Sequence, residues 1–257
     1  MIALWPVSAW SSRQRQGAIG ASCVAGVLLL AGVAYAWRHA EPVSDAQIHA
    51  WRALASARDS AAEQSLQQQA ERGNALAARL WGELLAQRDT ASAVSQARHW
   101  LAQAAQQGDA RAALSLGKLN FKGGAGLPPD PHSARPWLEM AAARGQEAAA
   151  HYLGLIERQG GHPQAARPWL ERAARVGYAD SQFLLAQMLL QGEGGEPDLS
   201  AARHWLEAAA EQDHPEATLQ LLMARRQGQL GYEADPQAER HLWMEAQHAL
   251  RHRPPSP

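Results

Sequence analysis

Large apolar, small and polar positions recur along this chain in a fixed order. Trp100-Leu101-Ala102-Gln103-Ala104-Ala105 closes at Gly108, Trp137-Leu138-Glu139-Met140-Ala141-Ala142 at Gly145, and Trp169-Leu170-Glu171-Arg172-Ala173-Ala174 at Gly177. A fourth copy, Trp205-Leu206-Glu207-Ala208-Ala209-Ala210, closes at Asp213. The copies are 32 to 37 residues apart. A phrase rewritten at that period marks an array of structural repeats. The register extends beyond the phrase. Counting from Gly73, Gly108, Gly145, Gly177 and Asp213, the fourth position is always small: Ala77, Ala112, Ala149, Ser181, Ala217. The eighth is always large and apolar: Trp81, Leu116, Leu153, Leu185, Leu221. The ninth is mostly small: Gly82, Gly117, Gly154, Ala186, then Leu222.

These columns predict two helices per repeat. The first helices span roughly 74–87, 109–122, 146–159, 178–191 and 214–227, and the second 93–107, 132–144, 163–176, 198–212 and 236–251. Glycine ends most first helices, at Gly123-Gly124, Gly160-Gly161, Gly192 with Gly194-Gly195, and Gly228, because it tolerates the left-handed conformation of a helix stop. Asp130-Pro131 and Asp235-Pro236 give cap and first-turn signals. Upstream, Ser44-Asp45-Ala46-Gln47 and Ser60-Ala61-Ala62-Glu63 read as capping boxes. Ile48, Trp51 and Ala55 share one helical face, and Leu66 and Ala70 belong to a degenerate first repeat. Pro136 and Pro168 directly precede their tryptophans, so those helices are expected to start late or bend. The last copy, His241-Leu242-Trp243-Met244, shifts its Trp by one place and lacks a closing Gly, as terminal repeats do. No helix pair can bury its apolar face alone. Stacking predicts an all-α solenoid of about five to six repeats over residues 44–251, a right-handed superhelix with a concave face. Trp100, Trp137, Trp169 and Trp205 are expected to be mostly buried in its packing seam.

Gly17 to Trp37 is an uncharged run of 21 residues, about 31 Å as a helix, close to the hydrocarbon thickness of a bilayer. Arg13 and Arg15 precede it, Arg38 and His39 follow it, and Trp5, Trp10, Tyr35 and Trp37 fall where interfacial aromatics lie. Two readings stand. One is an uncleaved transmembrane anchor with residues 1–16 in the cytoplasm. The other is a signal peptide cleaved after Ala34-Tyr35-Ala36. The run is longer than a usual signal core, which favours the anchor. The arginine balance then places the repeats on the periplasmic side of the inner membrane. Residues 38–43 form a linker, and Arg253-Pro254-Pro255-Ser256-Pro257 ends a disordered tail, 252–257.

Composition adds little chemistry. A formal net charge of -1 gives no basic field for nucleic acid. Arg outnumbers Lys by 22 to 2. Cys23 is the sole cysteine, which excludes a disulfide framework. No HExxH, P-loop, G-x-S-x-G or paired Cys-x-x-Cys motif is present. Gly192-Glu193-Gly194-Gly195 and Gly123-Gly124-Ala125-Gly126 lack the strand and the Lys-Ser/Thr of a phosphate loop, so they read as helix stops. His99, His204 and His241 share a column, and His241, Glu245, His248 and His252 form one stripe. A zinc site needs three or four ligands, so the stripe reads as a solvated face. No catalytic, cofactor or metal residue is assigned, and no small-molecule substrate is expected. A bound partner would lie along the first helices, where Arg111, Lys118, His151, Asp180, Gln187, Glu216 and Gln220 are the candidate contacts.

The columns resemble the Sel-one-like repeat (SLR) family, relatives of tetratricopeptide repeats. Ala112…Leu116-Gly117…Gly124…Asp130…Ala134…Trp137…Ala141-Ala142…Gly145 follows the family pattern closely. Ala149…Leu153-Gly154…Trp169…Ala173-Ala174…Gly177 follows it with a shortened loop, and Ser181…Leu185-Ala186…Trp205…Ala209-Ala210 carries Ala186 and Asp213 where the family has Gly. The resemblance covers about residues 60–250. It implies a protein–protein interaction scaffold, here tethered through Gly17 to Trp37 and docking other proteins of a bacterial envelope. Exported members serve envelope assemblies, including exopolysaccharide export, and host interaction. A cleaved, soluble periplasmic or secreted binding protein is the alternative. A hydrolase of cell-wall or antibiotic substrates has no nucleophile–base constellation to support it.

Overall fold

The computed structural model describes residues 43–88 and 90–234. The chain divides into two compact units, Met1–Gln47 and Ile48–Pro257. In the described part of the first, Gln47 N donates to Ser44 Oγ at 3.3 Å, the cap expected there. The described residues form eleven helices: α1 (Asp45–Ser56), α2 (Ser60–Glu71), α3 (Ala75–Ala86), α4 (Ala91–Gln106), α5 (Ala110–Lys122), α6 (Pro131–Ala143), α7 (Ala148–Gln159), α8 (Pro163–Arg175), α9 (Ala179–Gln191), α10 (Leu199–Ala210) and α11 (Pro215–Gln227). Every boundary of α3 to α11 falls within two residues of its expected place.

The Ala-Ala-x-x-Gly phrase is a helix stop with a fixed hydrogen-bond scheme. Gly108 N donates to Ala105 O and Asp109 N to Ala104 O, and the same two bonds recur at Gly73, Gly145, Gly177 and Asp213. This is the pairing of a Schellman cap, which requires a positive φ at the closing residue. The four glycines have φ between 81° and 100°, and Asp213 adopts 58°. A Cβ at any of these four glycines would meet nothing within 4 Å, so backbone conformation alone selects glycine. Except after Gly145, the next residue is the cap of the following helix. Asn74 and Asp109 accept amides of α3 and α5 with their side chains, and His214 Nδ1 accepts Ala217 N of α11. Thr90, Asp130 and Asp198 do the same for α4, α6 and α10. At α2 the cap is Asp59, accepting from Ala61 N and Ala62 N, and Ser60 is the first helical residue. Asp59 displaces the serine because a carboxylate accepts amides more strongly than a hydroxyl.

Consecutive helices pack as hairpins α3/α4, α5/α6, α7/α8 and α9/α10, and each second helix packs on the next first helix. First helices also meet directly, α3 with α5 and α5 with α7. Within the first three hairpins the contact is between Leu and Gly. The side chains of Leu101, Leu138, Leu170 and Leu206 are at most 1% exposed. A Cβ on Gly117 would stand 2.6 Å from Leu138 Cγ, and one on Gly154 the same distance from Leu170 Cγ. The missing methylene lets the leucine seat against the bare helix. In the fourth hairpin the place of glycine is taken by Ala186, fully buried beside Leu206 in one continuous cluster.

Two expectations are corrected. Trp100, Trp137, Trp169 and Trp205 are half-buried. The next residue, one hundred degrees further round the helix, is the leucine that points into the seam, which leaves each tryptophan on its rim. Of the two outcomes expected at Pro136 and Pro168, the late start does not occur. The two helices begin at Pro131 and Pro163 and run through both prolines. Each proline and the residue four before it, His132 and Gln164, are exposed, so the carbonyls deprived of a partner lie on the wet side. The run Gly17 to Trp37 and the last repeat helix, with His241, His248 and His252, lie outside the described residues. Among the described residues no helix is long and apolar enough to cross a membrane.

Replacing Gly117 by Ala should cost about 1–3 kcal/mol by overpacking against Leu138. Replacing Asp213 by Gly should raise stability by up to about 1 kcal/mol, because glycine adopts the left-handed region without the Cβ penalty. Urea unfolding monitored by circular dichroism checks both. A neutral G117A would mean the hairpin spacing is not set by this contact.

Candidate functional site

The buried columns leave three positions of each first helix, the sixth, seventh and tenth after the closing residue, beside the next first helix. These positions form rungs. In one row the tenth position of a helix faces the seventh of its successor. Ser115 Oγ donates to Glu83 Oε1 at 3.0 Å, Lys118 Nζ lies 5.7 Å from the centroid of Tyr152, and Gln187 Nε2 donates to Gln220 Oε1. In a second row the sixth position faces the residue that opens the next helix. Arg79 Nε donates to Asp109 Oδ2 at 2.9 Å, His151 stacks on Tyr178 with centroids 5.9 Å apart, and Phe183 stacks on His214 at 4.7 Å. The first row runs from a hydroxyl–carboxylate bond to a cation beside a ring to an amide pair, with Leu155 and Leu184 at the step between the last two; the second runs from an ion pair to aromatic stacks, with Leu114 and Gln146 at the step between.

The structure sorts the candidate residues into three groups. Lys118, Gln187 and Gln220 are rung members. His151 is buried, its Nδ1 2.8 Å from Ser181 Oγ, and is set edge-on to Tyr152. Arg111, Asp180 and Glu216 share the third position, in the first turn of their helices, and are exposed. Asp180 Oδ1 and Glu216 Oε2 each lie 3.4 Å from His214, at Nε2 and Nδ1 respectively. Nδ1 also accepts Ala217 N at 3.2 Å, the bond that caps α11. The sequence reading missed Arg79, Glu83, Asp109, Ser115, Tyr152, Tyr178, Phe183 and His214. Pairing each column with the displaced column of the next repeat would have found them.

Charge is uneven on this face. A cleft of about 410 Å³ opens between α3 and α5, lined by Glu83, Ser115, Lys118 and Lys122 among others. Burial, reinforced by Lys122 and opposed by Glu83, holds the Lys118 ammonium below the ordinary lysine pKa. Burial first, then neighbouring Tyr178 and Asp180, pushes the Tyr152 hydroxyl up to about 12, so it stays protonated at any physiological pH. Burial also lowers the pKa of His151. Asp180 opposes the shift, and Lys122 and Lys118 add to it. Outside the rungs, ion pairs join successive helices: Arg135 with Glu157, and Arg172 with Glu147. Hydrogen bonds from these arginines hold both carboxyls below the usual carboxylate range. Among the described residues no group of three histidine, cysteine or carboxylate side chains is placed to hold a metal ion.

These shifts act in one direction. A histidine whose pKa is lower folded than unfolded favours the native state above its ordinary value of 6.5, and that contribution is lost as pH falls below it. The lowered carboxyls lose theirs below the ordinary 4.5. The melting temperature should therefore decline in two stages on acidification. His151→Gln should flatten the stage near neutrality and leave the acid stage in place; an unchanged first stage would remove His151 as its cause.

Comparison with known proteins bears on this arrangement. The model of the Sel1 repeat matches residues 75–109, 110–146, 148–178 and 179–214 in tandem. The chain is similar to the crystal structure of a protective antigen present in uropathogenic Escherichia coli strains displaying an SLR fold, at 30% identity and a TM-score of 0.63. That match covers 74% of this chain and 40% of the antigen. A Sel1 repeat protein from Oxalobacter formigenes matches at 27% identity and a TM-score of 0.60, over 76% of this chain and 78% of that one. The chain thus spans less than half the length of the first of these relatives. No curated protein sequence matches it.

Proposed function

The chain belongs to the Sel1 repeat family, and on that footing we propose that it is a membrane-anchored adaptor docking other envelope proteins along the face of its first helices. Sel1 repeat proteins generally bind protein partners and are typically non-catalytic scaffolds. The observation that carries the reading is the contrast between frame and rungs. Caps, small columns and Leu–Gly contacts repeat with little change, whereas the rungs present an ion pair, aromatic stacks and an amide pair in succession. Identical packing needs no such variety, but recognition of one extended partner does. Exposed Arg111, Asp180, Tyr178 and Glu216 add contacts on the same helices. Aromatic and arginine side chains of this kind carry much of the energy of protein interfaces.

The anchor rests on Gly17 to Trp37, uncharged and of spanning length, with Arg13 and Arg15 on its amino side. The periplasmic orientation and inner-membrane location follow from that arginine placement. Ala34-Tyr35-Ala36 supports the second reading, a cleaved and soluble periplasmic or secreted binding protein with the same repeat face.

Crosslinking in intact cells followed by purification from membranes tests the adaptor. Specific protein partners should be recovered, and alanine at Arg111, Tyr178, Asp180 or Glu216 should lower recovery of at least one by roughly tenfold, the effect of about 1.4 kcal/mol at a contact. Absence of any partner, or equal recovery by all four variants, would falsify it. Amino-terminal sequencing separates the two forms, since a mature chain beginning at Trp37 removes the anchor.

A further inference from the structure

In α3, α5, α7 and α9 every sixth and tenth side chain is buried or half-buried beside the next first helix. In α11 the same two positions are Leu219 and Met223, and they are 46% and 51% exposed. Two apolar side chains thus stand open at the places where each earlier first helix meets another helix. They lie one turn apart, between Glu216 in the first turn of α11 and Arg226 in the last. Residues 216, 219, 223 and 226 fall at i, i+3, i+7 and i+10, so the four side chains share one face of the helix. The two charged ones are exposed as well. Gln220, at the seventh position, is engaged from the other side by Gln187.

This stripe is its own complement. We propose that α11 pairs with α11 of a second copy of the chain, antiparallel, about a two-fold axis level with Leu221. Each Leu219 then lies opposite the second copy's Met223, and each Glu216 opposite its Arg226. Antiparallel packing also sets the amino end of each helix beside the carboxyl end of the other, so the helix dipoles attract. A parallel pairing would put Glu216 beside Glu216 and Arg226 beside Arg226, and like charges there oppose association. A two-fold contact closes on itself, whereas a copy stacked head to tail would leave another open end. Glu216 lies 3.4 Å from His214, and Arg226 also interacts within its own chain. Neither has to give up that contact, since an exposed ion pair adds little affinity. Across the axis these charges set direction and register, and the affinity comes from Leu219 and Met223. Methionine suits the task because its flexible thioether adapts to the facing side chain. Four half-exposed apolar side chains cover less than the roughly 1,200–2,000 Å² of a standard interface, so the dimer is weak and reversible. The pairing goes beyond the adaptor reading and does not rest on it.

Sedimentation velocity of the full chain in detergent, over a concentration series, tests the pairing. The wild type should show a monomer–dimer equilibrium and no larger species. Leu219→Glu and Met223→Glu should each weaken the dimer about tenfold or more and leave the melting curve unchanged, because both positions are exposed. Glu216→Arg and Arg226→Glu should each weaken it about tenfold, since the two-fold axis doubles every like-charge contact. The double variant E216R/R226E should restore wild-type affinity. A mixture of the two single variants should favour the mixed dimer over either homodimer, read by capturing one of two tags. A dimer formed through any other surface would ignore these changes and overturn the proposal, as would a double variant that fails to recover. A chain monomeric at every concentration would leave the stripe to a different protein, and growth beyond dimers would make it a joint in an open stack; either result also overturns the pairing.

Discussion

The spacing between the two helices of a hairpin is the constraint on which the rest depends. A leucine from the second helix lies against a glycine of the first, and a methyl group added there would stand 2.6 Å from leucine carbon in two of the hairpins. Packed interiors have no slack to absorb that. Once the helices meet this closely, their alanines seal the seam, and the bulky side chains of the eighth column are buried with them. The buried positions are then fully specified. Polar and aromatic side chains are interspersed with leucines at the sixth, seventh and tenth positions, where neighbouring first helices face each other.

Glycine serves two unrelated purposes in each repeat. At Gly82, Gly117 and Gly154 it is small; at Gly73, Gly108, Gly145 and Gly177 it is left-handed. Exceptions in the fourth repeat separate these roles. Ala186 replaces the small glycine and remains fully buried, so that hairpin accommodates one methyl. Asp213 replaces the left-handed one and keeps both hydrogen bonds of the cap at φ 58°. Aspartate is among the few side chains that tolerate that region.

Much of the fold was legible in the sequence, because helix stops, small columns and large columns recur at a fixed register and reinforce one another. What misled was size without angle. Tryptophan is the most conspicuous letter of the phrase, yet burial depends on where a residue lies around the helix, and Leu101, Leu138, Leu170 and Leu206 occupy the inward direction. Pro136 and Pro168 misled for the same reason, since a proline on the solvent face disturbs a helix least. The rungs were less legible. Their partners lie about one repeat apart with the column displaced, as in Glu83 with Ser115, and their chemistry differs at every step, so no periodicity announces them. Lys118, Gln187 and Gln220 were found as polar residues on the expected face; their partnerships required coordinates.

The closing residue of each repeat lies two or three residues before the next helix begins, and its two closing hydrogen bonds are the same at every junction. The junctions are therefore interchangeable. Excising residues 110–146 would join Asp109 to Glu147 in unbroken register, with Gly108 still closing α4 and the next first helix following at once. Glu83 would then face Tyr152 in place of Ser115. Loss or duplication of whole units in the gene can in this way rewrite the face of the first helices while leaving the protein able to fold.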